Sequence, residues 1–163
     1  MEDNTIAIRE PPIKNSGVIG GNFLRRQVIK KPDGSQYKAK DMHTGNIVNF
    51  LSHKFELLNA DEYSYHLMEN DERTFPFSNF NLIYDMLTKK TDELGKYFVT
   101  EYRGDGKIDM DGLSQCCKSI GLNFNKQQVL TLWRKIDKKG KGRIGFIKII
   151  KMASDDLLNA HVG

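Results

Sequence analysis

Two twelve-residue stretches space their side chains as a loop around a hard divalent cation would. They run Glu101-Tyr-Arg-Gly-Asp-Gly-Lys-Ile-Asp-Met-Asp-Gly112 and Asp137-Lys-Lys-Gly-Lys-Gly-Arg-Ile-Gly-Phe-Ile-Lys148. A calcium loop of this length takes oxygens from positions 1, 3, 5, 9 and 12, a backbone carbonyl from position 7, and a glycine turn at position 6. Gly106 and Gly142 hold position 6, and Ile108 and Ile144 hold position 8. The ligand chemistry is largely lost. In the second loop positions 3, 5 and 12 are Lys139, Lys141 and Lys148, and only Asp137 offers a carboxylate. A lysine ammonium about 4 Å from a divalent ion costs roughly 8 kcal/mol at an effective dielectric of about 20. A sensor-grade site gains only about 8 kcal/mol in total. The second loop therefore excludes calcium.

The first loop keeps Glu101 at position 1, Asp105 at 5 and Asp109 at 9. Arg103 and Gly112 fill positions 3 and 12, and Asp111 stands one place off. A weak, hydrated site on Glu101, Asp105 and Asp109 is the most these residues would form; otherwise Asp105 and Asp109 bind turn amides of an empty loop. In the second loop, Lys148 or Lys141 is expected to pair with Asp137 and lock the turn without metal.

The elements that must position these loops repeat with them. Gly106 and Gly142 stand 36 residues apart, as do the two isoleucines, and such a period marks a duplicated unit. Leu82, Ile83, Met86, Leu87, Leu94, Tyr97 and Phe98 suggest helix entering the first loop; Leu113, Cys116, Cys117 and Ile120 suggest the helix leaving it. Gly121 suits that helix's C-terminal cap. Asn125 with Gln128 reads as a capping box before Val129, Leu132, Trp133 and Ile136, with Trp133 in the core. Phe146, Ile149, Ile150 and Met152 give a last apolar stripe.

On the segments 103–108 and 136–146, the chain resembles the EF-hand family, specifically one calmodulin-like lobe, over roughly Leu82–Leu158. The resemblance implies a mainly α fold: four helices in a paired EF-hand lobe over residues 75–160, with short loop-to-loop β pairing through Ile108 and Ile144. Upstream, residues 46–74 read as a helical segment and linker, on Ile47, Val48, Phe50, Leu51, Phe55, Leu57 and Leu58 followed by Tyr63, Tyr65, Leu67 and Met68, in one helix or in two broken near Asn59-Ala60-Asp61. Residues 1–45 read as an extended basic arm: Pro11-Pro12, Gly17, Gly20-Gly21 and Pro32-Asp33-Gly34 interrupt it. Val18, Ile19, Phe23, Leu24, Val28 and Ile29 give it anchors without a core. Phe75-Pro76-Phe77 is placed to tuck against the lobe or into its groove.

Composition narrows the function. The net charge is +4. The arm carries Arg25, Arg26, Lys30 and Lys31, and the second loop carries Lys138, Lys139, Lys141 and Arg143. These are the expected contacts for a partner with an acidic surface or an amphipathic helix. Few aromatics interleave with them, so nucleic acid is not expected. Cys116 and Cys117 are adjacent, too divergent on a helix to form a disulfide, and read as one core thiol and one half-exposed thiol. Neither makes a zinc spacing with His43, His53, His66 or His161. No catalytic constellation is present, so an enzyme is not expected; nor is a cofactor, calcium included. No apolar run suggests a membrane span or leader, and Glu2 follows Met1 where myristoylation needs glycine.

A lobe with lost ligands and a basic, Gly/Pro-punctuated arm is similar to small axonemal microtubule-associated EF-hand proteins. That resemblance implies a calcium-independent structural or adaptor protein, cytoplasmic and on the cytoskeleton of a cilium or flagellum, with tubulin as partner. The alternative is a weak calcium sensor acting through loop 101–112.

Overall fold

A computed structural model describes residues 3–17 and 19–160, the last six by their helical backbone alone; Val18 and His161 lie outside the described residues. The chain divides into two compact units, residues 1–42 with 46–57 and residues 43–45 with 58–163.

The first unit is built from alternation. Strands β1 (Thr5–Glu10) and β2 (Gly21–Val28) pair antiparallel, Thr5 opposite Val28 and Glu10 opposite Gly21. β3 (Ile47–Phe50) and β4 (His53–Glu56) form a second hairpin, with Val48 opposite Phe55. Because strand side chains alternate between faces, β3–β4 turns Val48, Phe50 and Phe55 inward, while β1–β2, whose register shifts around Ile8, contributes Ile6, Ile8 and Leu24. Leu24, Ile29, Tyr37, Val48 and Phe50 are buried together, flanked by Ile6, Ile8, Met42, Phe55 and Leu57. The Tyr37 ring meets Phe50 edge-on at 5.1 Å, and its hydroxyl accepts from the Asn49 N–H at 2.9 Å.

These strands correct two expectations. Ile47–Glu56 form a hairpin instead of a helix, although Glu62–Asn70 of the same stretch are helical, and the segment expected to be an extended arm has its own core. The fold is accordingly mixed, 40% helical and 19% strand, instead of mainly α. The spacing of Ile47, Val48, Phe50 and Leu51 satisfies a helical stripe, but Ile47, Val48 and Phe50 also favour strands. Once Leu51 and Ser52 turn the chain, pairing wins.

The second unit holds six helices among the described residues: α1 (Glu62–Asn70), α2 (Phe80–Thr88), α3 (Thr91–Thr100), α4 (Met110–Ser119), α5 (Lys126–Ile136) and α6 (Phe146–Ala160). Two short strands interrupt them, β5 (Lys107–Ile108) and β6 (Ile144–Gly145). Ile83, Leu87, Leu94, Phe98, Leu113, Cys116, Cys117, Leu132, Trp133, Ile136 and Ile149 are among its core residues. Trp133 is buried as expected. Local signals fix the helix ends. Asn125 and Gln128 form the reciprocal capping box at the start of α5. After α4, the N–H of Gly121 reaches Lys118 O at 3.1 Å and that of Leu122 reaches Cys117 O at 2.8 Å, the paired bonds of a Schellman stop.

Two polar devices sit in this apolar body. Gln127 is fully buried; its Oε1 accepts from Thr44 N at 2.8 Å and its Nε2 donates to Thr131 Oγ1 at 3.3 Å. On the outer face of α5, Arg134 clamps α1. Its guanidinium donates to both oxygens of Glu62 at 2.7 and 2.9 Å and pairs with Glu69, and it lies 4.4 Å from the Tyr65 ring centroid. The Arg134 hydrogen bond holds the Glu62 carboxyl below its usual range. Phe77 stays 45% exposed, tilted against His43.

The two thiols depart from expectation, since both are buried, at 0% and 1% exposure. Divergent helical directions still reach the same interior, because α4 is covered on both sides. Burial pushes both thiols from an ordinary 9.0 up to about 12. Two outcomes follow. Iodoacetamide at pH 8 is expected to label the native chain far more slowly than the urea-unfolded chain. As pH rises above 9.0, the unfolded chain loses thiol protons that the folded chain keeps up to about 12. Stability is therefore expected to fall through that window, measured as Tm against pH, and a Cys116→Ala/Cys117→Ala pair should flatten the slope. Arg134→Ala should lower stability by about 2 kcal/mol, because Glu69, 11% exposed at its side chain, loses its partner.

Candidate functional site

The two twelve-residue loops lie side by side. β5 and β6 pair antiparallel, Lys107 opposite Gly145 and Ile108 opposite Ile144. Both isoleucines point into the core, at 5% and 6% exposure, and Phe146 N donates to Gly106 O at 3.0 Å to extend the join. The turn ahead of each strand needs left-handed backbone: Gly106 has φ +89° and Gly142 +79°, where a side chain would be strained. The sequence period thus becomes a physical two-fold pairing.

The Asp105 and Asp109 carboxylates and the position-7 carbonyl of loop one, groups that would face a cation, are held by protein groups. Asp105, at position 5 of loop one, receives the Arg143 guanidinium of loop two in a forked pair at 2.9 and 3.1 Å. The position-7 carbonyl, Lys107 O, accepts from the Tyr102 hydroxyl at 2.8 Å and from Arg143 at 3.3 Å. That hydroxyl also accepts from Gly106 N at 3.2 Å. The Tyr102 ring packs against Phe98 and Phe146, at 5.6 and 5.7 Å. It lies so close to Gly104 that a Cβ there would meet its hydroxyl at 2.2 Å. Asp105 Oδ1 further takes the Lys107 N–H at 3.1 Å, and Asp109 caps α4 by accepting from Gly112 N at 2.8 Å. Glu101 ends α3 and is exposed. The Arg143 hydrogen bonds and then the Lys107 amide hold the Asp105 carboxyl below its ordinary 3.8.

Loop two is closed differently from expectation. Neither Lys148 nor Lys141 pairs with Asp137 through its ammonium. The Asp137 carboxylate instead accepts two backbone amides, Lys141 N and Gly142 N, both at 2.8 Å. Lys148 Nζ, at position 12, donates to Ile136 O at 3.2 Å, supplying a cation to the C-terminal end of α5. These residues do not fit a calcium ion: position 12 is a lysine in one loop and a glycine in the other, and the position-5 carboxylate is taken. Among the described residues no cluster of three or more His, Cys, Asp or Glu side chains could hold a metal.

The proposed partner contacts separate into engaged and open groups. Arg143 is committed to Asp105, whereas Lys138, Lys139 and Lys141 project from the loop-two turn, exposed. Arg25 and Arg26 lie on β2 at the register shift opposite Ile6–Ile8, and both are exposed; Arg26 donates to Thr5 Oγ1 at 3.2 Å. Lys31 pairs with Asp41 at 3.0 Å, and Lys30 is exposed. Sequence reasoning missed Tyr102, whose signal is the glycine two places on that makes room for its ring. It also missed Arg134, whose partners Glu62, Tyr65 and Glu69 share one face of α1 at helical spacing.

Residues 1–64 match the family of the DM10 domain. EF-hand domain-containing family member C2 of Mus musculus is 42% identical over 147 residues, covering 82% of this chain and 20% of its own. Its namesake in Danio rerio is 26% identical over 170 residues, covering 96% of this chain and 23% of its own. EF-hand domain-containing protein 1 of Homo sapiens is 37% identical over 76 residues, covering 44% of this chain and 12% of its own. These relatives support an EF-hand-containing family. The chain spans about a fifth of the length of the C2 relatives it matches. No described helix is long and apolar enough to cross a membrane.

Arg143→Gln and Asp105→Asn are each expected to lower Tm, and their double variant should lose less than the sum, the mark of direct coupling. The effect should shrink in high salt, since both side chains are more than half exposed. Asp105 is held below its ordinary 3.8 in the folded state. Its contribution is thus present above that value and lost as pH falls through the folded pKa. Asp137→Ala should cost about 1 kcal/mol by freeing two turn amides, with no change in any response to calcium.

Proposed function

We propose that the second unit is a paired EF-hand lobe that holds its shape without metal, and that the chain is a calcium-independent structural or adaptor protein. The observation that carries this reading is the Arg143–Asp105 fork, backed by Tyr102 on the position-7 carbonyl. In a calcium-loaded pair, one divalent ion in each loop draws its own oxygens together. Here one guanidinium from the neighbouring loop satisfies a carboxylate and a carbonyl at once, with forked geometry suited to the task.

A sensor needs two states that calcium distinguishes. With Arg143 seated on Asp105 and no bidentate acid at position 12, calcium has little differential affinity to offer. A constitutive scaffold fits these residues better. Its partner is a protein with an acidic surface or an amphipathic helix, met by the exposed lysines of loop two and by the first unit. Tubulin on an axonemal microtubule suits that charge, and the cytoskeleton of a cilium or flagellum suits that partner. No membrane, nucleic acid or catalytic step enters the reading.

Co-pelleting of the full chain with taxol-stabilised microtubules tests this reading in EGTA and in millimolar calcium. Equal, saturable binding in both is expected, weakened by a Lys138→Glu/Lys139→Glu/Lys141→Glu variant with unchanged Tm. Binding that appears only with calcium would overturn the reading in favour of a sensor working through Glu101, Asp105 and Asp109. No binding in either condition would remove tubulin as the partner.

A further inference from the structure

The β3–β4 hairpin turns on two residues that turn chemistry disfavours. Leu51 has φ +48° and Ser52 φ +70°. Two positive φ values in a two-residue hairpin define the type I′ turn, which prefers Asn-Gly. A bulky leucine in left-handed backbone is a genuine outlier. This leucine gains no burial in return, since it is 58% exposed.

The strained leucine forms one wall of a groove. A depression of about 480 Å³ within the first unit is lined by Val28, Lys30, Lys31, Pro32, Asn49 and Leu51, among others. Its apolar rim is open to solvent, because Val28 is also 42% exposed. Its charged rim is basic. Lys54 stands directly opposite Asn49 in the hairpin register, so it shares that face. Neither Lys30 nor Lys54 has an ion-pair partner among the described residues. Asp41 is engaged with Lys31 at 3.0 Å, and Asp33 with the amide and hydroxyl of Ser35 at 2.9 and 2.6 Å; Glu56, two places from Lys54 on the same face of β4, has an interaction of its own.

We infer that this groove, between the end of β2 and the Leu51–Ser52 turn, binds an extended acidic segment of a protein partner, one aliphatic side chain of which packs on Leu51 and Val28. Charge complementarity favours an acidic occupant: the exposed ammonium groups of Lys30 and Lys54 are open to carboxylates, with Lys31 held by Asp41. The exposed, strained leucine selects the aliphatic anchor. The inference rests on the adaptor reading and names one place where the partner is held.

The turn provides an unusual pair of variants. Leu51→Asn and Ser52→Gly both relieve backbone strain, but only the first removes the anchor. Anisotropy of a fluorescein-labelled, glutamate-rich peptide bearing one leucine reads binding to the full chain at about 0.1 M salt. Saturable binding to the native chain and to Ser52→Gly is expected. Leu51→Asn should lose roughly tenfold or more in affinity while its Tm holds or rises, and Lys30→Glu should lose binding with Tm unchanged. A glutamine-for-glutamate peptide should not bind.

Unaltered binding by Leu51→Asn overturns the inference, as does equal binding of heparin and duplex DNA, or no saturable binding at all. Microtubule co-pelleting separates this failure from failure of the reading beneath it. Calcium-indifferent pelleting that Leu51→Asn leaves intact would sink the groove and keep the adaptor. Peptide binding lost in Leu51→Asn, with no pelleting, would keep the groove and discard tubulin.

Discussion

One guanidinium organises two loops. Arg143 reaches across from loop two and satisfies the Asp105 carboxylate and the Lys107 carbonyl, the oxygens a calcium ion would otherwise gather. Loop one carries Glu101, Asp105, Asp109 and Asp111 against Arg103 and Lys107, a net negative charge that a further cation offsets. An exposed ion pair contributes little on average. This one has forked geometry and a backbone contact, the arrangement in which such pairs do contribute. Tyr102 completes the closure from inside, its hydroxyl on the loop amide and carbonyl and its ring on the core.

The rest of the second unit follows from the register so fixed. With Lys107 opposite Gly145, Ile108 and Ile144 enter the interior together and close one end of the helical core. A one-residue slip would turn both outward. Helix limits are set independently by Asp109, by the Asn125–Gln128 box and by the stop at Gly121. Two extra segments are tied on by polar contacts, Thr44 to buried Gln127 and α1 to Arg134. Both contacts lie on α5, so that helix carries a loop at one end and restraints along its length.

The second unit was legible where chemistry repeats at a period. The loop glycines, the two isoleucines, the capping box, the Gly121 stop and the buried Trp133 all follow from residue type and spacing. What the spacing could not show is which cation would reach which anion. Arg143 and Asp105 are 38 residues apart and meet only through strand register. Charge within loop two points to Lys148 or Lys141 on Asp137, but that carboxylate is taken by the backbone amides of Lys141 and Gly142. In the first unit, Ile6 and Ile8 alternate as strand residues should, but Pro11-Pro12 and the later glycines read as interruptions of an arm. They are the connection of a hairpin. The Leu51–Ser52 turn lacks the Asn or Gly that announces one, so the apolar residues around it read as a helix. A site that breaks its local rule is where sequence reading fails and where function is worth seeking.

The central claim is that protein groups have taken the cation's place. Calorimetric titration of the full chain with calcium, paired with Tm at each concentration, tests it most directly. No saturable heat at micromolar calcium and an unchanged Tm are expected. Micromolar binding with a rising Tm, lost in Asp105→Asn, would show that Arg143 yields its place to the ion and would contradict it.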